Sequence, residues 1–230
     1  IPGIPLHCVA RGACGQQLFH DQDDYDQYLL QLNRFALLEG VDVHAYCLMP
    51  NHIHLLLTPQ ENPKAIAKFF QRLHTWFAVR FNAKHNKTGH VFGERYFSSC
   101  LDDAHFWAAM RYIELNPVRA GLVKCPSHWR YSSARFHLSP YNRAKWPVPL
   151  SMAAFDSRFA KQDWSRFLLE KSAREKALTQ DLRRGLRSGR SLGTKRWLKT
   201  WGIRIGRPMT WKTGPPPRLY PDKPMQTRTH

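Results

Sequence analysis

The chain has 230 residues, with 35 Lys and Arg against 17 Asp and Glu, a formal net charge of +18. That length fits one domain, or one domain with an appended segment, and a hydrophobic fraction of 43% can supply a packed core. No apolar run approaches the roughly 18 residues of a membrane span, so the charge points to a polyanion, nucleic acid before an anionic membrane surface.

The chain opens with an apolar, β-compatible stretch at residues 4–11, closed by Gly12. Asp21, Asp23 and Asp24 precede a helical pattern in which Tyr25, Tyr28, Leu29, Leu32 and Phe35 share one face, and Gly40 stops it. Residues 41–49 predict a second strand and residues 52–58 a third, joined by a turn at Pro50 and Asn51. On the third strand His52, His54 and Leu56 share one face and Ile53, Leu55 and Leu57 the other. Pro63 opens a helix to about residue 84, striped by Ile66, Phe69, Phe70, Leu73, Trp76 and Phe77. Residues 96–101 read as a short extended segment. Asp102 or Asp103 caps a helix to about Leu115, which Pro117 limits. A short element follows at 118–123, and 132–136 reads as helical, 140–150 as loop, and 151–186 as mostly helical. The tail beyond Gly189 is expected to be turn-rich and partly helical, becoming extended at 214–217. The order β-α-β-β-α-β-α predicts an α+β fold with helices on one face of an antiparallel sheet.

Charge is unevenly placed. Residues 1–170 carry 19 basic and 14 acidic side chains, whereas residues 171–230 carry 16 and 3. This shift marks a boundary, with a domain over 1–150 and a basic C-terminal segment over 151–230. In that segment Trp197, Trp201, Trp211 and Tyr220 lie among Lys and Arg residues such as Lys195 and Arg196. Aromatics interleaved with cations can stack on bases while phosphates are neutralised, or they can dock the tail on the domain. The cysteines at 8, 14, 47, 100 and 125 form no CxxC, which argues against a thiolate zinc site and a disulfide scaffold, and for a reducing cytoplasm. The chain begins at Ile1, and no signal-peptide pattern is expected.

Two motifs carry chemistry. In His52-Ile53-His54 both imidazoles leave the same face of a strand and can hold a divalent cation; the same pair also suits two surface histidines. In the stretch 111–117, RYIELNP, Tyr112 and Asn116 lie one helical turn apart. A tyrosine hydroxyl can attack phosphorus and form a phosphotyrosyl link, and an amide oxygen from Asn116 could reach the same cation. Equally, Tyr112 could pack at a domain edge and Asn116 could cap the helix.

Taken together, several strings resemble the Y1 transposases of the insertion-sequence 200/605 type, within the HUH endonucleases, and most closely the REP-associated tyrosine transposases. They are PGIPLHCVARG at 2–12, HAYCLMPNHIHLLL at 44–57, GHVFGERY at 89–96, RYIELNPVRAGLV at 111–123 and WRYSS at 129–133. The resemblance covers about residues 2–136. It implies a ferredoxin-like α+β catalytic core that cuts and rejoins single-stranded DNA at REP-type hairpins through a 5′-phosphotyrosine. By that resemblance His52 and His54 bind one Mg or Mn ion and Tyr112 is the nucleophile. Asn116 stands where related transposases place a Gln that completes the metal site; its amide is shorter.

Arg11, Arg95, Arg111, Arg119, Lys195, Arg196 and Trp197 are candidate DNA contacts. His7 could support a metal ligand or simply fill its strand, and Glu114 falls off the Tyr112–Asn116 face. Removing the tail near residue 170 is expected to weaken DNA affinity more than it damages the metal site. The remaining expectations are a monomer, a cytoplasmic, nucleoid-associated location and no membrane partner. A relaxase, a replication initiator and a non-catalytic nucleic-acid-binding protein are the alternatives.

Overall fold

Alternation along the first three strands creates a sheet with two different faces. Leu6, Cys8, Tyr46, Leu48, Ile53, Leu55 and Leu57 point to one core; Ala45, Cys47, Met49 and Leu56 point to the other. The computed structural model describes residues 1–138, 148–159, 164–170, 172–204 and 209. Its strands are β1 (Leu6–Arg11), β2 (Val41–Met49), β3 (His52–Pro59) and β4 (Phe97–Cys100). Helix α1 (Gln22–Glu39) joins β1 to β2, and α2 (Ala65–Lys84) joins β3 to β4. The strands lie in the order β2-β3-β1-β4, every neighbour antiparallel. This is an α+β architecture, consistent with a ferredoxin-like arrangement.

Helices α1 and α2 cover the first face, with Tyr28, Leu32, Phe69, Leu73 and Phe77 as fully buried contacts. Asp21 caps α1 by accepting from Asp24 N at 3.0 Å, and Gly40 ends it in the left-handed region at φ 63°.

The second face is also covered, which corrects the expectation of helices on one face only. Helix α3 (Asp103–Glu114) lies there, followed by the turn α4 (Asn116–Arg119) and by α5 (Ala134–Leu138). Helices α6 (Ala153–Phe159), α7 (Trp164–Leu169) and α8 (Ala173–Ser188) extend the same layer, and α9 (Lys195–Arg204) follows. Phe155, Phe159, Trp164, Leu168 and Leu182 join Phe106, Trp107, Met110 and Ile113 in this second core. The physical reason is visible in β2, buried at every position except Asp42: a strand apolar on both sides needs a layer on each. Residues on either side of position 150 share this core.

Downstream chain also covers both sheet edges. Leu48 N donates to Tyr131 O at 2.9 Å and Ser133 N to Tyr46 O at 3.0 Å, so residues 131–133 run along β2. At the opposite edge Leu192 N donates to Cys100 O at 2.7 Å and Asp102 N to Leu192 O at 2.9 Å. Unpaired strand edges invite pairing with other chains, and these contacts occupy them.

Residues 140–147 of the loop expected at 140–150, the extended stretch at 214–217, and Trp211 and Tyr220 lie outside the described residues. Among the described residues no helix is long and apolar enough to cross a membrane.

Candidate active site

The site forms where β1, β3 and the end of α3 meet on the second face. His52 and His54 project from alternate positions of β3, with ring centroids 5.0 Å apart. The intervening Ile53 is buried in the opposite core and holds the strand in this register. His52 Nδ1 donates to Asn51 Oδ1 at 2.8 Å, which leaves the lone pair on Nε2. The sequence marks Asn51 only as a turn residue; its place directly before the histidines was the available signal. His54 is 3% exposed, and its Nδ1 lies 3.0 Å from Nε2 of His7 on β1.

Burial pushes His54 well below the ordinary imidazole range, and its neighbours His52, His7, Arg119 and Arg11 add to the effect. Burial, then Arg119, lowers His7 to about 3. Both rings are therefore neutral at pH 7, the form that ligates metals.

Tyr112 lies in the last turn of α3. Its ring centroid is 5.7 Å from that of His54 and 5.9 Å from that of His7, both edge-on. The Arg119 guanidinium stands 4.0 Å over the Tyr112 ring centroid and donates from Nη2 to Tyr112 O. Pro117 has no N–H to donate, and the helix breaks at Leu115. The path nevertheless stays close to helical, because Leu115 N bonds to Arg111 O and Arg119 N to Leu115 O, each at 3.0 Å. Asn116 thus falls one turn after Tyr112, buried, and its side-chain Nδ2 makes no hydrogen bond.

Glu114 faces away from this group and is fully buried. It accepts from Ser133 Oγ at 2.7 Å, from Trp164 Nε1 at 2.8 Å and from His137 Nδ1. Sequence reasoning sets Glu114 aside without finding this network, since its partners lie 19 to 50 positions away.

The cationic candidates separate. Arg11 ends β1, paired in register with His52 and exposed. Arg95 is exposed on the loop before β4, whose backbone is tied to Arg11 and Ala13 through Gly93 N and Val91 O. Arg119 is at the tyrosine. Arg111, expected to contact phosphate, instead donates to Leu168 O at 3.0 Å, Glu175 Oε2 at 2.9 Å and Glu170 O, binding α3 to the C-terminal layer. It lies one residue from Tyr112, and helical rotation turns it to another side. Lys195 and Arg196 are exposed on α9. Trp197 is half-buried against Gly193 and 6.4 Å from Trp201, whose ring carries the Arg204 guanidinium at 4.8 Å. This helix is held at the start of the tyrosine helix. Asp102 caps α3 by accepting from His105 N at 3.0 Å and also accepts from Thr194 N at 2.9 Å.

A second cluster could coordinate a divalent cation: carboxylates of Asp21, Asp23 and Asp24 lie within 4.8 Å of one another. In this structure they converge on the Lys84 ammonium, at 2.7, 2.7 and 2.9 Å, so a cation of the protein's own already sits among them.

Comparison with known proteins places this arrangement. The family of IS200-like transposases matches residues 2–116, half of the chain, and the match contains His52, His54, Tyr112 and Asn116. The chain belongs to the IS200-like transposase family. A protein of Haemophilus influenzae assigned as a REP-associated tyrosine transposase is 33% identical over 104 residues. That alignment covers 40% of this chain and 57% of the relative, so the chain spans little more than half of that relative's length. Two solved structures are also similar. One, of a REP-associated tyrosine transposase bound to a REP hairpin, has a TM-score of 0.49 at 18% identity, covering 66% of this chain and 87% of the other. The second, a protein of Deinococcus radiodurans assigned as a transposase, has a TM-score of 0.36 at 23% identity, covering 48% and 88%.

The donor set in this IS200-like chain suits a divalent cation bound with substrate. Two neutral imidazoles and one amide oxygen supply three uncharged donors, and phosphate oxygens can complete the shell. Asn116, buried one helical turn after Tyr112, would offer its Oδ1 as the third donor, while the Nδ2 of the same amide has no hydrogen-bond partner.

Proposed function

We propose that the chain is a metal-dependent single-stranded DNA endonuclease and strand transferase acting at REP-type hairpins through a 5′-phosphotyrosine. The observation that carries this reading is the meeting of His52, His54 and Tyr112 at one end of the sheet, with ring centroids 5.0 and 5.7 Å apart. His52, His54 and Asn116 would hold one Mg or Mn ion, which when bound supplies a Lewis acid for the scissile phosphate. Tyr112 Oη attacks phosphorus, and in the overall balance the departing 3′-oxygen takes up the proton that Oη loses. The bond from phosphorus to the 3′-oxygen breaks, leaving a free 3′-OH and DNA joined to Tyr112 through its 5′-phosphate. The link remains a phosphodiester, so a 3′-OH can attack it later and join a new strand.

Arg119 holds the tyrosine ring from one face and places a positive charge over the phenol that loses its proton. Arg11 and Arg95, exposed around the end of β1, are positioned to contact phosphates of the strand entering the site. Helix α9 offers the exposed Lys195 and Arg196 for the hairpin or its flank. Covered edges at β2 and β4 favour a monomer.

The test is a denaturing gel. Labelled single-stranded REP-type hairpin DNA, incubated with the protein and Mg or Mn, should give a covalent adduct that chelator abolishes and Tyr112→Phe eliminates. Tight binding with no adduct across several hairpins would instead identify a binding protein that has kept the scaffold.

A further inference from the structure

The hydrogen bond between His7 and His54 leaves a question of chemistry that the two ligand histidines alone do not answer. His7 lies on β1 opposite Leu56, and Val9 lies opposite His54, so His7 and His54 are diagonal neighbours on one face of the sheet. His7 is fully buried, and its ring touches both partners: 5.2 Å from His54 and 5.9 Å from Tyr112, centroid to centroid. The contact is nitrogen to nitrogen, His7 Nε2 to His54 Nδ1, at 3.0 Å.

Between two neutral imidazoles one nitrogen must donate and the other accept. If His7 Nε2 donates, His54 Nδ1 accepts and the proton of His54 sits on Nε2, where it blocks a cation. If His54 Nδ1 donates, its Nε2 carries the lone pair, and His7 bears its own proton on Nδ1. In that second arrangement the buried Nδ1–H of His7 has no acceptor, a cost that the bond from His54 Nε2 to a cation has to offset. The two arrangements hold the same number of protons. They differ only in whether His54 can ligate.

Resting on the metal-site reading above, we propose that His7 is a positioning residue, which sets the tautomer and ring orientation of His54 by accepting its Nδ1 proton. His52 has the corresponding support from the Asn51 carbonyl, which accepts from His52 Nδ1 at 2.8 Å. Each histidine of the pair therefore has its own orienting acceptor, one from the hairpin turn and one from the neighbouring strand. Such outer partners typically change metal affinity by about 10–100-fold when removed.

The experiment uses the full chain without DNA. Mn²⁺ affinity is read by electron paramagnetic resonance of the free ion, and the imidazole nitrogens by long-range proton–nitrogen NMR with and without Mg²⁺. In the wild type, Mg²⁺ should give His54 with its proton on Nδ1. His7→Leu should weaken Mn²⁺ binding by about 10–100-fold, while His7→Gln, whose side-chain carbonyl can accept, should recover part of it. A folded His7→Leu protein that binds Mn²⁺ as the wild type does would overturn the proposal. So would a Mg²⁺-bound His54 with its proton on Nε2, a result that does not require any variant to fold. Mn²⁺ binding that is unaffected by His54→Ala would instead remove the metal-site reading itself, and this inference with it.

Discussion

Replacing Glu114 tests whether the tyrosine helix is held by its buried carboxylate. Three donors converge on that carboxylate from three separate segments: Ser133 Oγ, His137 Nδ1 and Trp164 Nε1. Ser133 Oγ also accepts from Tyr46 N at 3.2 Å, so the network reaches β2. Removing the carboxylate leaves these donors in a dry interior, where each unsatisfied group costs about 1–3 kcal/mol. Because the strain can be shared and the site can partly collapse, Glu114→Ala is expected to lose about 3–5 kcal/mol. That is a large part of the roughly 5–15 kcal/mol that keeps a domain folded. Glu114→Gln keeps the shape but turns an N–H₂ toward one donor, and should lose about 2 kcal/mol. The assay is urea unfolding of the full chain followed by tryptophan fluorescence. A double-mutant cycle with Trp164→Phe should show a coupling of about 1 kcal/mol or more. A loss below about 1 kcal/mol for Glu114→Ala, with an unchanged denaturant slope, would refute the claim that this network ties α3 to its layer.

Three further predictions concern acid stability, the basic tail and Arg111. Burial lowers His74 to about 3, with its ring stacked 3.8 Å from Phe92 and its Nε2 unpartnered. The folded state therefore keeps His74 neutral while the unfolded chain protonates near 6.5, so its cost is absent well above 6.5 and grows as pH falls toward 3. At pH 5 this amounts to about 2 kcal/mol, and His74→Phe should lessen the stability difference between pH 8 and pH 5 by that amount in matched urea titrations. For the tail, replacing Lys195, Arg196 and Lys199 with Ala should weaken binding to single-stranded DNA. The salt slope should fall by about 0.7 for each phosphate that the protein no longer neutralises. Arg111→Ala should leave that slope unchanged and lower stability, because its guanidinium is bonded within the fold. These point changes replace truncation near residue 170, which would remove α8 and the Glu175 partner of Arg111 together with the basic surface.

Local patterns made much of the core legible. The boundaries of α1 follow from Asp21 and Gly40, whose cap chemistry acts within a few residues. The shared face of His52 and His54 follows from the strand period, and the proximity of Tyr112 and Asn116 from the helical one. Arg111 reads in the sequence as a candidate phosphate contact because it adjoins Tyr112, and its bonds to Leu168 on α7 and Glu175 on α8 exist only in the fold. For the tail aromatics two roles stood open; Trp197 packs on Gly193, which supports docking for that residue, while Lys195 and Arg196 remain exposed.

Periodicity and capping act over distances of a few residues, so the sequence by itself determined the strands, the helices and which side chains share a face. It could not say which layer covers which face. That was decided by burial: β2 is apolar on both sides, and the sheet accordingly carries helices on both. Nor could it pair His7 with His54, Glu114 with Trp164, or Asp102 with Thr194, which meet across 47, 50 and 92 positions. Such contacts have no period in the chain. They exist only once the strands are in register and the C-terminal helices have closed over the face that bears the tyrosine.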